Sequence, residues 1–224
     1  MKGMVDERKS NGIGTLNESP LHADLKAWYA REGDRLEVPV DDYVIDIVRG
    51  DLLIEIQTCG ITAIRDKLRE LADDHPVRLV VPVAGDKWLV KLPEDDSGEP
   101  ERRLSPKHCT PMDIFDEMIR LPYLLENPNF SLEVLLIQME EIRRRHPGKA
   151  WRRNGWVVED RRLVDVLDSY RYETPADLAA LLPVDIPEEF TTADLSRGAG
   201  IRRKLAQKAC YCLRKMGAIE HIGI

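Results

Sequence analysis

Two short apolar segments joined by Gly50-Asp51 constrain the fold more than any other feature of this chain. Each segment carries an acid, Asp46 or Glu55, where a buried strand should be apolar. Glycine at the first position of a two-residue loop favours a type II′ hairpin turn. The pairs that follow from this turn are Arg49–Leu52, Val48–Leu53, Ile47–Ile54 and Asp46–Glu55.

The predicted register places the two acids directly opposite each other, roughly 5 Å apart at Cβ. Strand alternation adds Gln57 to the face of Glu55. Like charges directly opposite each other destabilise a sheet, so we expect a positive group between Asp46 and Glu55, and a divalent metal is one candidate. The alternative is a solvated face on which each acid pairs with Arg or Lys.

Composition limits the class of protein. The chain has 224 residues, 43% apolar and 33% charged, which indicates a globular protein of one or two domains. It has no apolar run of 18 residues, so we expect no membrane partner. Residues 1–12 lack the apolar core of a signal peptide and are predicted to be a disordered tail. Four scattered cysteines without a CxxC pair are typical of reduced thiols in a cytoplasmic protein.

The charge is unevenly distributed. The net charge of −7 argues against a nucleic-acid partner. However, residues 142–162 hold eight Lys or Arg against two acids, and residues 197–215 hold seven and no acid. Such segregation lets an acidic protein present a basic surface.

The first half of the chain reads as helix, three strands, helix and two strands. Ser19-Pro20 has the signature of a helix start, and Gly33 is expected to close that helix. The remaining predicted elements are the strands Arg35–Val40, Tyr43–Val48 and Leu52–Thr58, the helix Ile61–Ala72, and the strands Val77–Val83 and Lys87–Leu92. This order is that of an α/β module whose fourth strand lies beside the third.

The second half is predicted to be less regular. Residues 131–145 suit either a strand or a helix by their pattern, and we favour a strand that pairs across a basic turn at 146–155 as a long hairpin. The other predicted elements are the helices Pro111–Leu121, Thr174–Pro183, Thr191–Ser196 and Ile201–Met216, and a final strand Ala218–Ile222.

The facing acids suit phosphodiester hydrolysis. Mg²⁺ polarises a phosphoryl oxygen and activates water, and it usually binds through one or two carboxylates. Asp46 and Glu55 would hold the metal (Mg²⁺ or Mn²⁺), and the carbonyl of Ile56 would add a ligand. Gln57 would orient the water, since its amide both donates and accepts hydrogen bonds.

Asp-x8-Glu-Ile-Gln within this order of elements resembles the PD-(D/E)xK nuclease superfamily, which has the restriction-endonuclease-like fold. The resemblance covers residues 16–92. It implies a mixed sheet flanked by helices and Mg²⁺ binding by Asp46 and Glu55. Gln57 stands where the family has lysine. Two further residues are possible accessories: Glu18, matching an acid on the family's first helix, and Lys67, a displaced lysine that could reach back to the acids.

Residues 174–224 resemble a smaller, mostly helical winged-helix module, whose last helix enters the DNA major groove. We therefore expect a nuclease-like domain at 13–105, a connecting region at 106–173 and this module at 174–224. The predicted nucleic-acid contacts are Arg102, Arg103, Lys107, Arg152, Arg153, Arg202, Arg203, Lys204 and Lys208.

The sequence therefore predicts an α/β protein that cleaves DNA with Mg²⁺, and the resemblance to the nuclease superfamily implies a homodimer as a partner state. A DNA-binding regulator with a degenerate nuclease fold is the first alternative, and a protein-interaction adaptor is the second. Cleavage requires both acids, whereas regulation requires only the basic surface.

Overall fold

A computed structural model describes residues 18–94, 98–150 and 153–223. These residues form a seven-stranded mixed sheet flanked by helices, which confirms the predicted α/β class. The strands are β1 (Arg35–Val40), β2 (Tyr43–Arg49), β3 (Leu52–Ile56), β4 (Val77–Lys91), β5 (Glu101–Leu104), β6 (Phe130–Arg145) and β7 (Trp156–Tyr172). The helices are α1 (Pro20–Tyr29), α2 (Arg65–Asp74), α3 (Phe115–Met118), α4 (Pro175–Ala179), α5 (Thr192–Gly198) and α6 (Arg203–Lys215). The tail predicted for residues 1–12 lies outside the described residues.

The start of α1 follows the predicted capping chemistry. The side chain of Ser19 accepts a hydrogen bond from the backbone of His22, and Pro20 occupies the first turn. The helix ends at Tyr29 rather than near Gly33, which lies in the turn before β1. The predicted helix end was therefore wrong by about one turn of helix.

The β2–β3 hairpin has the predicted turn and register as far as Ile47–Ile54. Gly50 takes the positive φ of 58° that a type II′ turn needs at its first position. The ladder stops before Asp46 and Glu55, so the predicted fourth pair is not formed. Instead, one carboxylate oxygen of Asp46 accepts the backbone N–H of Ile56 at 2.8 Å.

The chain is distorted beside Asp46 on its other side as well. The β1–β2 ladder runs from Arg35–Val48 to Val40–Tyr43, but Glu37 does not pair with Asp46. Glu37 has a φ of +51°, which is unusual for a residue with a side chain. The distortion accounts for the loss of ladder pairing at Asp46.

β3 connects through α2 to the parallel strand β4, as the element order predicted. β4 is a single strand of 15 residues, whereas the sequence suggested two strands separated near Gly85. Gly85 lies at a bulge against β6, where an added Cβ would meet the Leu136 side chain at 3.0 Å. This glycine permits close approach of β6 and does not end the strand.

β6 and β7 form the long antiparallel hairpin, so the preference for a strand at residues 131–145 is confirmed. β6 is also parallel to β4, which gives the strand order β1-β2-β3-β4-β6-β7, with β5 paired to β4. Arg102 and Arg103, two of the predicted nucleic-acid contacts, lie in the edge strand β5.

Two apolar clusters cover the two faces of the sheet. The smaller cluster holds Leu21 and Leu25 of α1. The larger cluster holds Leu68 of α2 together with residues of α3 and of α4 to α6, such as Leu213. The C-terminal helices therefore share their core with the sheet.

The C-terminal region departs from the predicted module in one respect. α6 buries Leu205, Ala209 and Leu213 as expected. The described residues 218–222 form no strand, so the prediction of a final strand Ala218–Ile222 was wrong. Similarly, the helix predicted at 111–121 is a 3₁₀ turn (Pro111–Ile114) followed by the single turn of α3.

Within the described part of the chain, no helix is long and apolar enough to cross a membrane.

Candidate functional site

Four side chains from α1, β2, β3 and α2 meet where β2 and β3 separate. His22 lies 3.2 Å from Asp46, measured from Nε2 to Oδ2. Lys67 lies 2.6 Å from Glu55, measured from Nζ to Oε1. Three of these residues were predicted site residues, and His22 was not.

Glu55 is a buried carboxylate, with 5% of the residue exposed. Burial raises the pKa of Glu55 to about 7, because it disfavours the charged form; the negative charge of Asp46 adds to this shift and Lys67 opposes it. A carboxylate that titrates near neutrality in a site with a second acid is typical of functional sites.

Lys67 reaches back from α2 to the end of the hairpin. Besides Glu55, its ammonium group donates to the carbonyl of Val44 at 2.7 Å and lies 5.9 Å from the centre of the Tyr43 ring. The Tyr43 hydroxyl in turn donates to Glu70 at 2.5 Å. These contacts hold the lysine beside Glu55, where the sequence motif itself has no cation.

Asp46 is held by donors from two different elements. His22 of α1 and the backbone N–H of Ile56 both contact Oδ2 of Asp46. Burial favours a higher pKa for Asp46, but the hydrogen bonds from His22 and Ile56 outweigh it and lower the pKa. Asp46 is therefore ionised at neutral pH.

His22 contacts a carboxylate at each ring nitrogen. Its Nδ1 lies 2.5 Å from Glu18, and its Nε2 faces Asp46. The hydrogen bond to Asp46 raises the pKa of His22 to about 9 against the opposing effect of burial, and Glu18 adds to the rise. The ring is thus an imidazolium that donates from both nitrogens. The signal in the sequence was the i, i+4 spacing of Glu18 and His22 around the Ser19 cap.

Glu18 contacts the cations of α1 rather than the two acids. Besides His22, it pairs with Lys26 at 2.7 Å, and Lys26 also pairs with Glu37 at 2.6 Å. Burial favours a higher pKa for Glu18, but Lys26 and His22 lower it. The predicted accessory acid thus reaches Asp46 through His22.

Gln57 is turned away from the acids. Its side-chain nitrogen donates to the carbonyl of Cys59, and its backbone N–H donates to Val80 at 2.9 Å. It lines a surface depression, whose other lining residues are Thr58, Cys59, Ile61, Val81, Pro82 and Glu117. Lys67, not Gln57, is the polar group that contacts Glu55.

The oxygen atoms of Asp46, Glu55 and the Ile56 carbonyl are ligands that suit a hard cation. The hydrogen bonds described above use one oxygen of each acid, Oδ2 of Asp46 and Oε1 of Glu55. The Ile56 carbonyl faces β2, since N–H and C=O of a strand residue point to the same edge. Oxygen ligands of this kind are those that Mg²⁺ takes. Among the described residues, no group of three or more His, Cys, Asp or Glu could hold a metal.

Four of the predicted nucleic-acid contacts are already paired within the protein. Arg102 stacks on Trp88, with 3.8 Å between its guanidinium carbon and the ring centre, and donates to Glu140 at 2.8 Å. The other three pair with acids of the segment 113–116: Lys107 with Asp113 at 3.6 Å, and Arg202 and Lys208 with Asp116 at 3.5 and 2.8 Å.

The remaining predicted contacts are exposed where the structure describes them: Arg103, Arg153, Arg203 and Lys204. Arg152 lies outside the described residues. On α6, the exposed stripe continues through Gln207, Tyr211 and Arg214. The structure thus separates the cations of this region into a group tied to Asp116 and a group that faces solvent.

Comparison with known proteins adds a family. A family model described as "Domain of unknown function (DUF8091)" matches residues 19–173. The chain belongs to this family. An uncharacterized protein of Treponema pallidum (strain Nichols) is 32% identical over 197 residues, which cover 87% of this chain and 78% of the relative. No solved structure matches the chain. The DUF8091 match contains His22, Asp46, Glu55 and Lys67 and ends before α4.

Proposed function

We propose that this protein is a metal-dependent nuclease that hydrolyses DNA phosphodiester bonds, with a site like that of the PD-(D/E)xK nucleases. The main support for this proposal is the position of Lys67. Its ammonium group lies 2.6 Å from Glu55 and within electrostatic range of Asp46. Two acids and one lysine from three separate elements are the groups that such a reaction requires.

The topology supports the proposal. α1 and α2 cover opposite faces of a sheet in which β1, β2 and β3 are antiparallel neighbours and β4 is parallel to β3. This is the arrangement that the resemblance to the nuclease superfamily implies. The acids lie where the hairpin ladder ends, beyond its last pair Ile47–Ile54.

Each residue has a distinct role in the proposed reaction. Asp46, Glu55 and the carbonyl of Ile56 would hold Mg²⁺, which supplies Lewis acidity and activates a water molecule. Lys67 would donate a hydrogen bond to a phosphoryl oxygen and offset its developing charge. Asp46 is ionised at neutral pH, whereas Glu55 becomes fully ionised above pH 7.

The exposed stripe of α6 is the proposed contact with the DNA backbone. Arg203, Lys204 and Arg214 are exposed on a helix of 13 residues that contains no acid. Lys and Arg on such a surface bind phosphates and release counterions, so affinity falls steeply with salt. Arg202 and Lys208 contribute less, because both pair with Asp116, which offsets part of their charge.

Cleavage of plasmid DNA tests the proposal. Asp46→Ala and Glu55→Ala should each reduce the Mg²⁺-dependent rate at least about 10³-fold, since a metal contributes several kcal/mol to the transition state. Asp51→Ala removes an exposed acid from the turn of the same hairpin and should cleave like the wild type. Cleavage that persists in both variants, or in EDTA, excludes the assignment.

DNA binding without cleavage is the second candidate. One observation favours it: Asp46 and Glu55 each already have a cation, His22 and Lys67, so the protein balances both charges without a metal. In that case binding is independent of metal and still sensitive to salt.

A binding titration on a DNA duplex separates the candidates from the adaptor. Arg203→Ala with Lys204→Ala should weaken binding about tenfold and reduce the salt slope by about 2, one per lost phosphate contact. Arg31→Ala with Arg35→Ala removes equal charge from the end of α1 and the start of β1, and should bind normally. Absence of wild-type binding at low salt would leave the adaptor.

A further inference from the structure

We propose that His22 is a positioning residue: it fixes the Asp46 carboxylate so that Oδ1 remains available to a divalent cation, and Glu18 fixes the His22 ring. This inference rests on the proposed function and adds two residues of α1 to its site. It also replaces the predicted role of Glu18 as an accessory acid near the metal.

The geometry at Asp46 carries the inference. Two donors from different elements converge on the same oxygen, Oδ2: Ile56 N–H from β3 at 2.8 Å and His22 Nε2 from α1 at 3.2 Å. Two donors at one oxygen set the plane of the carboxylate and leave Oδ1 to face away from both. A partner that orients a metal ligand in this way commonly affects metal affinity as strongly as a weak ligand does.

His22 is itself held on its other side. Glu18 accepts from Nδ1 of the ring at 2.5 Å and is in turn held by Lys26 at 2.7 Å. Lys26 also bonds Glu37, the residue across from Asp46 where the β1–β2 ladder is interrupted. The contacts therefore form a continuous chain from α1 to both sides of Asp46.

α1 has sufficient anchors without His22. Ser19 caps its first turn, and Leu21, Leu25 and Tyr29 are buried against the sheet. Loss of the imidazole should therefore leave the helix in place. Its effect at Asp46 can then be measured without unfolding the protein.

A purely electrostatic role for His22 predicts the opposite sign. If His22 acted only as a positive charge beside Asp46, its removal would tighten cation binding, since like charges would no longer repel. If it positions Asp46, its removal weakens binding. The sign of the change in affinity thus distinguishes the two roles.

Binding of Mn²⁺, followed by electron paramagnetic resonance and calorimetry without DNA, provides the test. His22→Ala should weaken Mn²⁺ binding about 10- to 100-fold. His22→Gln should stay within about threefold of the wild type, because its amide nitrogen reaches as far as Nε2 and retains the donor. His22→Asn keeps a polar group that is too short to reach Asp46, and should bind like His22→Ala. Glu18→Gln should have an intermediate effect.

The outcomes separate this inference from the proposed function. Wild-type protein that binds no Mn²⁺ overturns both. Wild-type binding that Asp46→Ala abolishes, but that His22→Ala leaves unchanged or tightens, overturns the positioning role alone. The His22→Asn and His22→Gln pair repeats the test if the alanine variant does not fold, and equal affinity in that pair also overturns the role.

Discussion

Glu55 and Glu141 are equally buried, each 5% exposed, but their surroundings have opposite effects on their charge. Burial raises the pKa of Glu55 to about 7, since Lys67 alone does not offset it and Asp46 lies nearby. Burial also acts on Glu141, but Arg143, Lys87 and Arg161 outweigh it and lower its pKa. The three cations around Glu141 keep it ionised, whereas the single lysine beside Glu55 does not offset the effect of burial.

The surroundings of Glu141 are those of a structural ion cluster. Arg143 contacts one of its oxygens at 2.5 Å, Lys87 approaches the other at 3.4 Å, and Arg161 lies at 3.7 Å. Glu133, the third buried glutamate, is similarly satisfied by the hydroxyls of Tyr29 and Ser169 at 2.6 and 2.7 Å. Glu55 by contrast has one lysine and a neighbouring acid, which favours a functional role.

Among the groups that surround the buried glutamates, the largest expected effect is at Lys67. Lys67→Ala should reduce the cleavage rate about 10²- to 10³-fold, the usual effect of removing one donor from the transition state. Gln57→Ala should stay within about threefold, since its amide bonds to Cys59 and not to the acids. Single-turnover kinetics compares the two variants. A larger loss in Gln57→Ala would restore the role that the sequence motif gave to Gln57.

The two glutamates should differ in sign when each is neutralised. At pH 8, Glu141→Gln should lower the free energy of unfolding by about 1.5–3 kcal/mol, because charged hydrogen bonds are lost. Glu55→Gln should raise it by about 1–3 kcal/mol, because a carboxylate that is costly to bury is removed. Urea unfolding measures both. A change in the free energy of unfolding of the same sign in both variants would contradict the contrast between Glu55 and Glu141.

The pH dependence of stability should show the same contrast. The folded pKa of Glu55 lies above its unfolded value of 4.5, so stability falls by about 3 kcal/mol as pH rises from 4.5 to about 7. His22 contributes stability below pH 6.5 that is lost as pH rises through about 9. Glu141 stabilises at neutral pH and loses this effect in acid. Thermal unfolding measured from pH 5 to 9 checks this. The fall in stability below pH 7 should be absent in Glu55→Gln and present in Glu141→Gln.

The smallest expected effect concerns Glu133. Ser169→Ala removes one of its donors, but Tyr29 and two nearby arginines, Arg78 and Arg171, remain. The free energy of unfolding should fall by about 1 kcal/mol. Tyr29→Phe should cost a similar amount. A loss several times larger would mean that Glu133 depends on one partner, as Glu55 depends on Lys67.

Local sequence rules predicted the elements that local chemistry controls. Ser19-Pro20 began α1, Gly50 set the turn and the register of three hairpin pairs, and alternation favoured a strand for β6. The predictions failed where contacts with an element distant in sequence determine the local structure. The predicted strands Val77–Val83 and Lys87–Leu92 are one strand, β4, because β6 approaches it closely at Gly85. Residues 218–222 were predicted to be a strand but form none.

By itself, the sequence determined that two acids lie at the end of one hairpin, because turn geometry and strand alternation act between near neighbours. Only the tertiary structure decided which cations approach them. Lys67 comes from α2 and His22 from α1, 12 and 24 residues from the acids they contact. Side chains meet across such separations only after the helices have packed on opposite faces of the sheet. In the proposed site, Lys67 therefore takes the place that the sequence gave to Gln57 in the predicted catalytic group of Asp46, Glu55 and Gln57, and His22 lies beside Asp46.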